Sequence, residues 1–179
     1  MRRIFWALLI LAAGGAYALF APTAPATTCR DVTCGDTLRL YFDERPWQLG
    51  ADNAKLNVFH EYVTGGQTVD NWRELVTLQM YRGRQTKVAA DEHANAFIAL
   101  LRKTCGGKAV ITVIRSGPAD TLFEWRINGH AQISDQHEIV RVLAGQQALI
   151  VIHYAARTPA LAAADRRKWI AILDKAALR

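Results

Sequence analysis

The stretch "DQHEIVRVLAGQQALIVIHYAA", residues 135–156, decides the fold of this chain. It contains two apolar segments, 137–143 and 148–155, on either side of a short turn at Gly145. Segments of this length that are rich in Val and Ile predict β-strands, and their closeness in sequence predicts an antiparallel hairpin. The other elements are assigned outward from this hairpin.

The register of the hairpin predicts which side chains share a face of the sheet. We place Val140 opposite Val151. This register puts Glu138 opposite His153 on one face and His137 on the other, and a slip of one residue would exchange the faces. A Glu/His pair at a sheet end is usually a structural contact. Its alternative role is general acid/base catalysis, for which Glu138 and His153 are the candidate residues.

Further strands are predicted on the N-terminal side of the hairpin. The segments 109–116 and 122–127 complete a meander of four antiparallel strands. Two more segments, 37–42 and 55–63, combine β-branched and aromatic residues between turn-rich stretches such as Gly50 to Asn53. The sequence thus predicts one pair of strands and one group of four.

Two consecutive helices are predicted between these groups of strands. The first would begin at the capping residue Thr68, because apolar residues then recur at helical spacing. These residues are Val69, Trp72, Leu75, Val76 and Met80. The second would begin near Ala89 and end at Gly106, since glycine commonly follows the last turn of a helix. Its apolar stripe consists of Ala90, Ala94, Phe97, Ile98, Leu101 and Cys105.

A last helix is predicted from Thr158-Pro159, with Trp169 on its buried face. We expect both Trp72 and Trp169 to be buried against the sheet. The element order is ββ-αα-ββββ-α, which predicts an α+β domain. Its antiparallel sheet would have about five to six strands, with the helices packed on it.

The N-terminal residues have the pattern of an export signal. A basic start, an apolar run over 4–13 and the small-residue site Ala16-Tyr17-Ala18 predict a signal peptide over residues 1–18. The alternative is an uncleaved membrane anchor over residues 4–21. Residues 19–36 would then be a flexible arm and residues 37–179 a single domain. We expect a periplasmic protein or, in the alternative, a domain in the periplasm held by one anchor in the inner membrane.

Three cysteines would enter an oxidising compartment, namely Cys29, Cys34 and Cys105. Their number predicts one intramolecular disulfide and one free thiol. The spacing of Cys29 and Cys34 fits neither a redox pair nor a zinc site. The sequence leaves open which two of the three are joined.

The composition and the motifs exclude several classes of function. The net charge of +6 comes from 22 basic and 16 acidic residues that are well mixed along the chain, whereas a nucleic-acid-binding protein usually has a basic stripe. The five histidines have no metal-ligand spacing, and neither a phosphate loop nor a Gly-x-Ser-x-Gly motif is present. We therefore expect no metal, no cofactor and no nucleic acid, and a non-enzymatic role is favoured.

Two stretches carry a resemblance to a known family: "EYVTGGQTVDNWRELVTLQMY" (61–81) and "ADRRKWIAIL" (164–173). Taken with the order of the elements over residues 37–177, they resemble small exported bacterial proteins of the PsbP-like α-β-α sandwich fold. The resemblance implies an accessory or ligand-binding role and assigns no site residue.

The sequence therefore favours an exported, non-catalytic accessory or binding protein of the bacterial envelope. Its partner would be an envelope protein or a small ligand. One alternative is a small envelope hydrolase or transferase that uses Glu138 and His153. The other is a membrane-anchored subunit of an envelope complex, associated with the membrane through its N-terminal segment.

Overall fold

The computed structural model describes residues 38–52, 59–83 and 88–178. In chain order, the elements are β1 (Leu38–Arg39), β2 (Trp47–Asp52), β3 (Phe59–Thr64), β4 (Glu74–Arg82), α1 (Ala90–Thr104), β5 (Val110–Arg115), β6 (Asp120–Ile127), β7 (Gln136–Ala144), β8 (Ala148–Ala156), α2 (Ala163–Asp174) and β9 (Ala177–Leu178). The predicted α+β class is confirmed.

Seven strands form one antiparallel sheet in the order β2-β3-β4-β8-β7-β6-β5, and β1 pairs with β9 in a sheet of two strands. The large sheet consists of two meanders, β2-β3-β4 and β5-β6-β7-β8, which are joined where β4 pairs with β8. The strand count therefore exceeds the five to six that the sequence predicts. Strand β2 was missed because its residues 50–52 read as a turn; in the structure Gly50 forms a bulge between Leu49 and Ala51, and Ala51 and Asp52 pair with β3.

The predicted helix from Thr68 to Met80 is wrong. Residues 74–82 are strand β4, and Thr68 lies in a turn in which the Asn71 side chain accepts a hydrogen bond from the Thr68 backbone N–H at 2.7 Å. Strand β4 lies between β3 and β8 and buries side chains on both faces, so its apolar residues do not alternate with polar ones. A short apolar run of this kind fits helical spacing by coincidence.

The other two predicted helices are confirmed, with one shifted start. Helix α1 buries Ala90, Ala94, Ile98 and Leu101, and Gly106 follows it with a positive φ of 56°. Helix α2 begins at Ala163, because residues 157–160 form bends before it. Trp169 is buried on α2 as expected. Trp72 is also buried, although it lies in the loop before β4 and not on a helix.

The two helices pack on opposite faces of the sheet. Residues alternate along β7, so that Val140 and Val142 belong to the core under α1, whereas Ile139 belongs to the core under α2. The observed hairpin register pairs Val140 with His153 and Glu138 with Ala155. The predicted register was thus wrong by two residues, because the turn is centred on Gln146 and Gln147, one residue later than predicted. A shift of two leaves every side chain on its predicted face.

Candidate functional site

The predicted pair Glu138 and His153 is in contact in the core beneath α1. Glu138 and His153 hydrogen-bond through Oε1 and Nδ1, and the Gln136 amide donates to the other Glu138 oxygen at 3.1 Å. The two residues are only 1% and 4% exposed, and the ring of Phe97 lies 5.8 Å from the His153 ring. The Nε2 atom of His153 is also buried and has no hydrogen-bond partner in the described part of the chain. This is the geometry of a core contact, and catalysis by the pair stays a prediction.

The cysteine and N-terminal predictions lie largely outside the described residues. Cys29, Cys34, the signal peptide and the arm all precede Leu38. Cys105 is a free thiol buried at the end of α1, and burial raises the pKa of this thiol. Because the thiolate is the reactive form of cysteine, Cys105 is an inert core residue.

A second polar group, with two buried side chains and one partly exposed one, lies on the opposite face, under the start of α2. It consists of Glu124, His137 and Arg166, and we name it the Glu124 cluster. Arg166 holds the carboxylate in a two-point ion pair, with nitrogen–oxygen distances of 2.7 and 2.8 Å. Burial works to raise the pKa of Glu124, but the hydrogen bonds and charge of Arg166, together with the contact to His137, outweigh it, and the pKa lies below its ordinary value. Glu124 is therefore ionised at neutral pH.

The hydrogen bonds of His137 assign its protonation state. The backbone N–H of Leu161 donates to His137 Nδ1 at 3.0 Å, so this nitrogen carries no proton. The other nitrogen, Nε2, lies 3.2 Å from Glu124 and is the donor of that hydrogen bond. Burial lowers the pKa of His137 and outweighs the opposing effect of Glu124. His137 is thus a neutral histidine whose two nitrogens are both satisfied.

A cavity of about 200 Å³ opens beside the Glu124 cluster. Its lining includes the three residues of the Glu124 cluster, together with Val110 and Thr112 of β5, Arg126 of β6 and Leu161 of the loop before α2. Arg126 is exposed and forms no ion pair with any residue in the described ranges. The cavity lining is therefore partly polar and partly apolar, and the charge of its Arg126 guanidinium group is not neutralised there.

The cavity adjoins strand β5, which is one edge of the large sheet. We name this strand, with its open side, the β5 edge. Val110 and Val113 are each 51% exposed, and Ile114 is 37% exposed. Both edge strands contain a bulge, β5 between Val113 and Arg115 and β2 between Leu49 and Ala51, but β2 is the more polar strand, although Leu49 is 50% exposed there. An edge strand with this much exposed β-branched surface is a natural place for another strand to pair.

A third polar group joins residues 43–47, at the start of β2, to helix α2. Asp43 accepts hydrogen bonds from Trp47 Nε1 at 2.7 Å and from Lys168 at 2.9 Å. Arg45 contacts Asp43 and also Glu74. Its two-point ion pair with Glu74 has nitrogen–oxygen distances of 2.6 and 2.8 Å. Every charge in the group faces an opposite charge, so we assign it a structural role.

The comparisons with known proteins assign no family to the chain. No protein-family model matches it, and no curated protein is similar to it. Within residues 38–52, 59–83 and 88–178, no group of three or more His, Cys, Asp or Glu side chains is placed to hold a metal ion. No helix in those ranges is long and apolar enough to cross a membrane.

Sequence reasoning missed the Glu124 cluster and the β5 edge as possible sites. One signal was available for the cluster: Glu124 interrupts the apolar segment "LFEWRI", where an acidic residue needs a buried partner. Its partner Arg166 could not be identified, since it lies 42 residues away among several other basic residues.

Proposed function

We propose that this protein is an exported, non-catalytic binding protein of the bacterial envelope. Its partner is an extended segment of another envelope protein, which adds as a strand to the β5 edge. Export is inferred from residues 1–18, and retention of residues 4–21 as an anchor is the alternative from the sequence. An accessory role also agrees with the PsbP-like resemblance, which stays a prediction.

The single observation that carries the proposal is the exposed apolar surface of the β5 edge. A strand at a sheet edge presents unpaired backbone N–H and C=O groups on its open side, and proteins usually protect such strands with charged residues. Strand β5 has one charged residue, Arg115, which is held by Asp120 and Asp174 at 2.8 Å each. Residues 110–113, which precede the bulge between Val113 and Arg115, therefore have no protecting charge.

The state of the buried polar groups supports a non-catalytic role. The carboxylates of Glu124 and Asp43 are occupied by basic partners inside the protein. Glu138 and His153 contact each other and are almost completely buried. General acid/base catalysis requires a group that a substrate can approach and that is free to exchange a proton, whereas Glu138 and His153 are enclosed in the core and Glu124 and Asp43 are already ion-paired.

Site-specific photocrosslinking in cells tests the proposal. A photoreactive amino acid at Val110 is expected to form an adduct with an envelope protein, identified by mass spectrometry. The matched control places it at Leu100, which is also exposed but lies on helix α1 and not on the edge strand. A Val113→Lys change adds a protecting charge to the edge and is expected to reduce the Val110 adduct about tenfold or more.

Two results would contradict the proposal. One is a Val110 adduct yield no higher than that of the Leu100 control. The other is a crosslink from Val110 only to the same chain or to a second copy of it, because the occupant of the edge would then not be a different protein.

A further inference from the structure

We infer that the segment bound at the β5 edge presents an acidic side chain to Arg126, within the cavity beside the Glu124 cluster. The inference rests on the proposed function and specifies the chemistry of the partner. It is carried by the position of Arg126, by the balance of charge around the cavity and by the size of the cavity.

Arg126 lies one strand in from the open edge. It is paired with Val110 across β5 and β6, and both residues line the cavity. Side chains alternate along a strand, so Val110 and Thr112 project on the same face as Arg126. Every second side chain of a strand added to β5 would project on this face as well, next to the cavity.

The charges around the cavity leave one cation without a partner. Arg166 is neutralised by Glu124, and His137 is neutral because its Nδ1 accepts a backbone hydrogen bond. Lys108 donates to the Gly129 carbonyl at 3.1 Å, and the Asp135 carboxylate accepts from the Gly129 N–H at 2.8 Å, so these two opposite charges balance and the excess positive charge is that of Arg126. Within the described ranges, the site is therefore complementary to a carboxylate.

The cavity fits a side chain better than a metabolite. Its volume of about 200 Å³ is below the roughly 300–1,000 Å³ of clefts that bind drug-sized ligands. Val110 and Leu161 form apolar walls, which suit the methylene groups of an acidic side chain. Arginine is also the residue best suited to bind a carboxylate by two parallel hydrogen bonds.

Three synthetic peptides provide the probe for the test. Each is an acetylated and amidated nonapeptide of alternating Thr and Val, with Glu, Gln or Lys at its central position. Blocking both termini leaves the central side chain as the only variable charge. Binding to the full-length protein is measured by titration calorimetry and by NMR shift mapping, at two salt concentrations.

We expect the Glu peptide to bind about tenfold more tightly than the Gln peptide, the size typical of one charge-assisted hydrogen bond, and the Lys peptide to bind least. Arg126→Gln should abolish the preference for Glu. Because Arg126 is exposed, this change should leave the fold intact. The matched control Arg102→Gln removes an exposed charge from α1 and should keep the preference.

The possible outcomes separate this inference from the proposed function. If the three peptides bind equally and Val113→Lys weakens all of them, strand addition stands and the acidic preference is wrong. If Val113→Lys has no effect but Arg126→Gln abolishes binding of the Glu peptide, a carboxylate site exists without strand addition. Absence of binding by all three peptides would overturn the inference.

Discussion

Helix α1 is held on the sheet by apolar packing of aliphatic and aromatic residues, whereas helix α2 is held by an aromatic cluster and by charged side chains. The core residues of α1 are small or branched, such as Ala94 and Ile98, and they pack on Val140 and Phe123. Helix α2 buries only Trp169 and Leu173.

Charged contacts at both ends of α2 complete its attachment. Near its start, Arg166 reaches Glu124 of β6. At its end, the buried Arg141 of β7 donates to the carbonyls of Asp174 and Ala176 at 3.0 and 2.8 Å. A cation at this position satisfies carbonyls that have no partner within the helix and interacts favourably with the helix dipole. This comparison shows that specific polar contacts can fix the position of a helix on the sheet when its apolar stripe is narrow.

The largest expected effect is that of Trp169→Ala, which tests whether one aromatic residue dominates the α2 side. The Trp169 ring stacks on Tyr154 at 3.8 Å and meets the edge of Trp47 at 5.6 Å. We expect a loss of about 3 to 5 kcal/mol in the free energy of unfolding, measured by chemical denaturation. The control is Tyr41→Ala, at a residue 59% exposed, which should cost less than about 0.5 kcal/mol. Similar values for both variants would show that the aromatic cluster is not needed.

The next effect concerns α1 and uses two neighbouring leucines. Leu101 is 2% exposed and Leu100 is 39% exposed, so the same substitution can be compared inside and outside the core. Leu101→Ala should cost about 2 to 4 kcal/mol, because it removes buried methyl groups and leaves a cavity. Leu100→Ala should cost less than about 1 kcal/mol. Equal losses in the two variants would contradict the orientation of α1 described above.

The smallest effect tests the ion pairs of the α2 side. Glu124→Gln keeps the shape of the side chain and removes its charge, and we expect a loss of about 1 to 2 kcal/mol at pH 7. This is the lower part of the range for charged hydrogen bonds, since the Arg166 side chain is 35% exposed. The exposed Glu92→Gln, on α1, is the control and should have little effect.

The pH dependence of this loss follows from the direction of the pKa shift. The pKa of Glu124 is lowered in the folded protein from an ordinary value of 4.5, so its contribution is fully present above pH 4.5. The contribution is lost as the pH falls through the lowered pKa. The difference between wild type and Glu124→Gln should therefore shrink below pH 4.5. A difference that stays constant from pH 7 to pH 3 would show that the charge of Glu124 is not its cause.

The sequence predicted the elements whose signals are local. The four strands from residue 109 onward are separated by turns, and α1 ends at Gly106 and has an apolar stripe, so both could be found without knowing what they contact. Strand β4 was mistaken for a helix because burial on both faces removes the alternation that identifies a strand. Burial on both faces is a property of its place between β3 and β8 and not of its own residues.

The residues of the candidate site also divide into those that local sequence patterns could place and those that only the fold brings together. The sequence by itself determined that Glu138 and His153 share a face and that His137 lies on the other, since the side-chain period of two survives a register error of two residues. Only the tertiary structure decided that Glu124 is neutralised by Arg166 and that Arg126 remains without an ion-pair partner in the described residues. These contacts, or their absence, depend on residues that are far apart in the chain. The sequence around a charged residue does not show which distant residue will lie next to it in the fold.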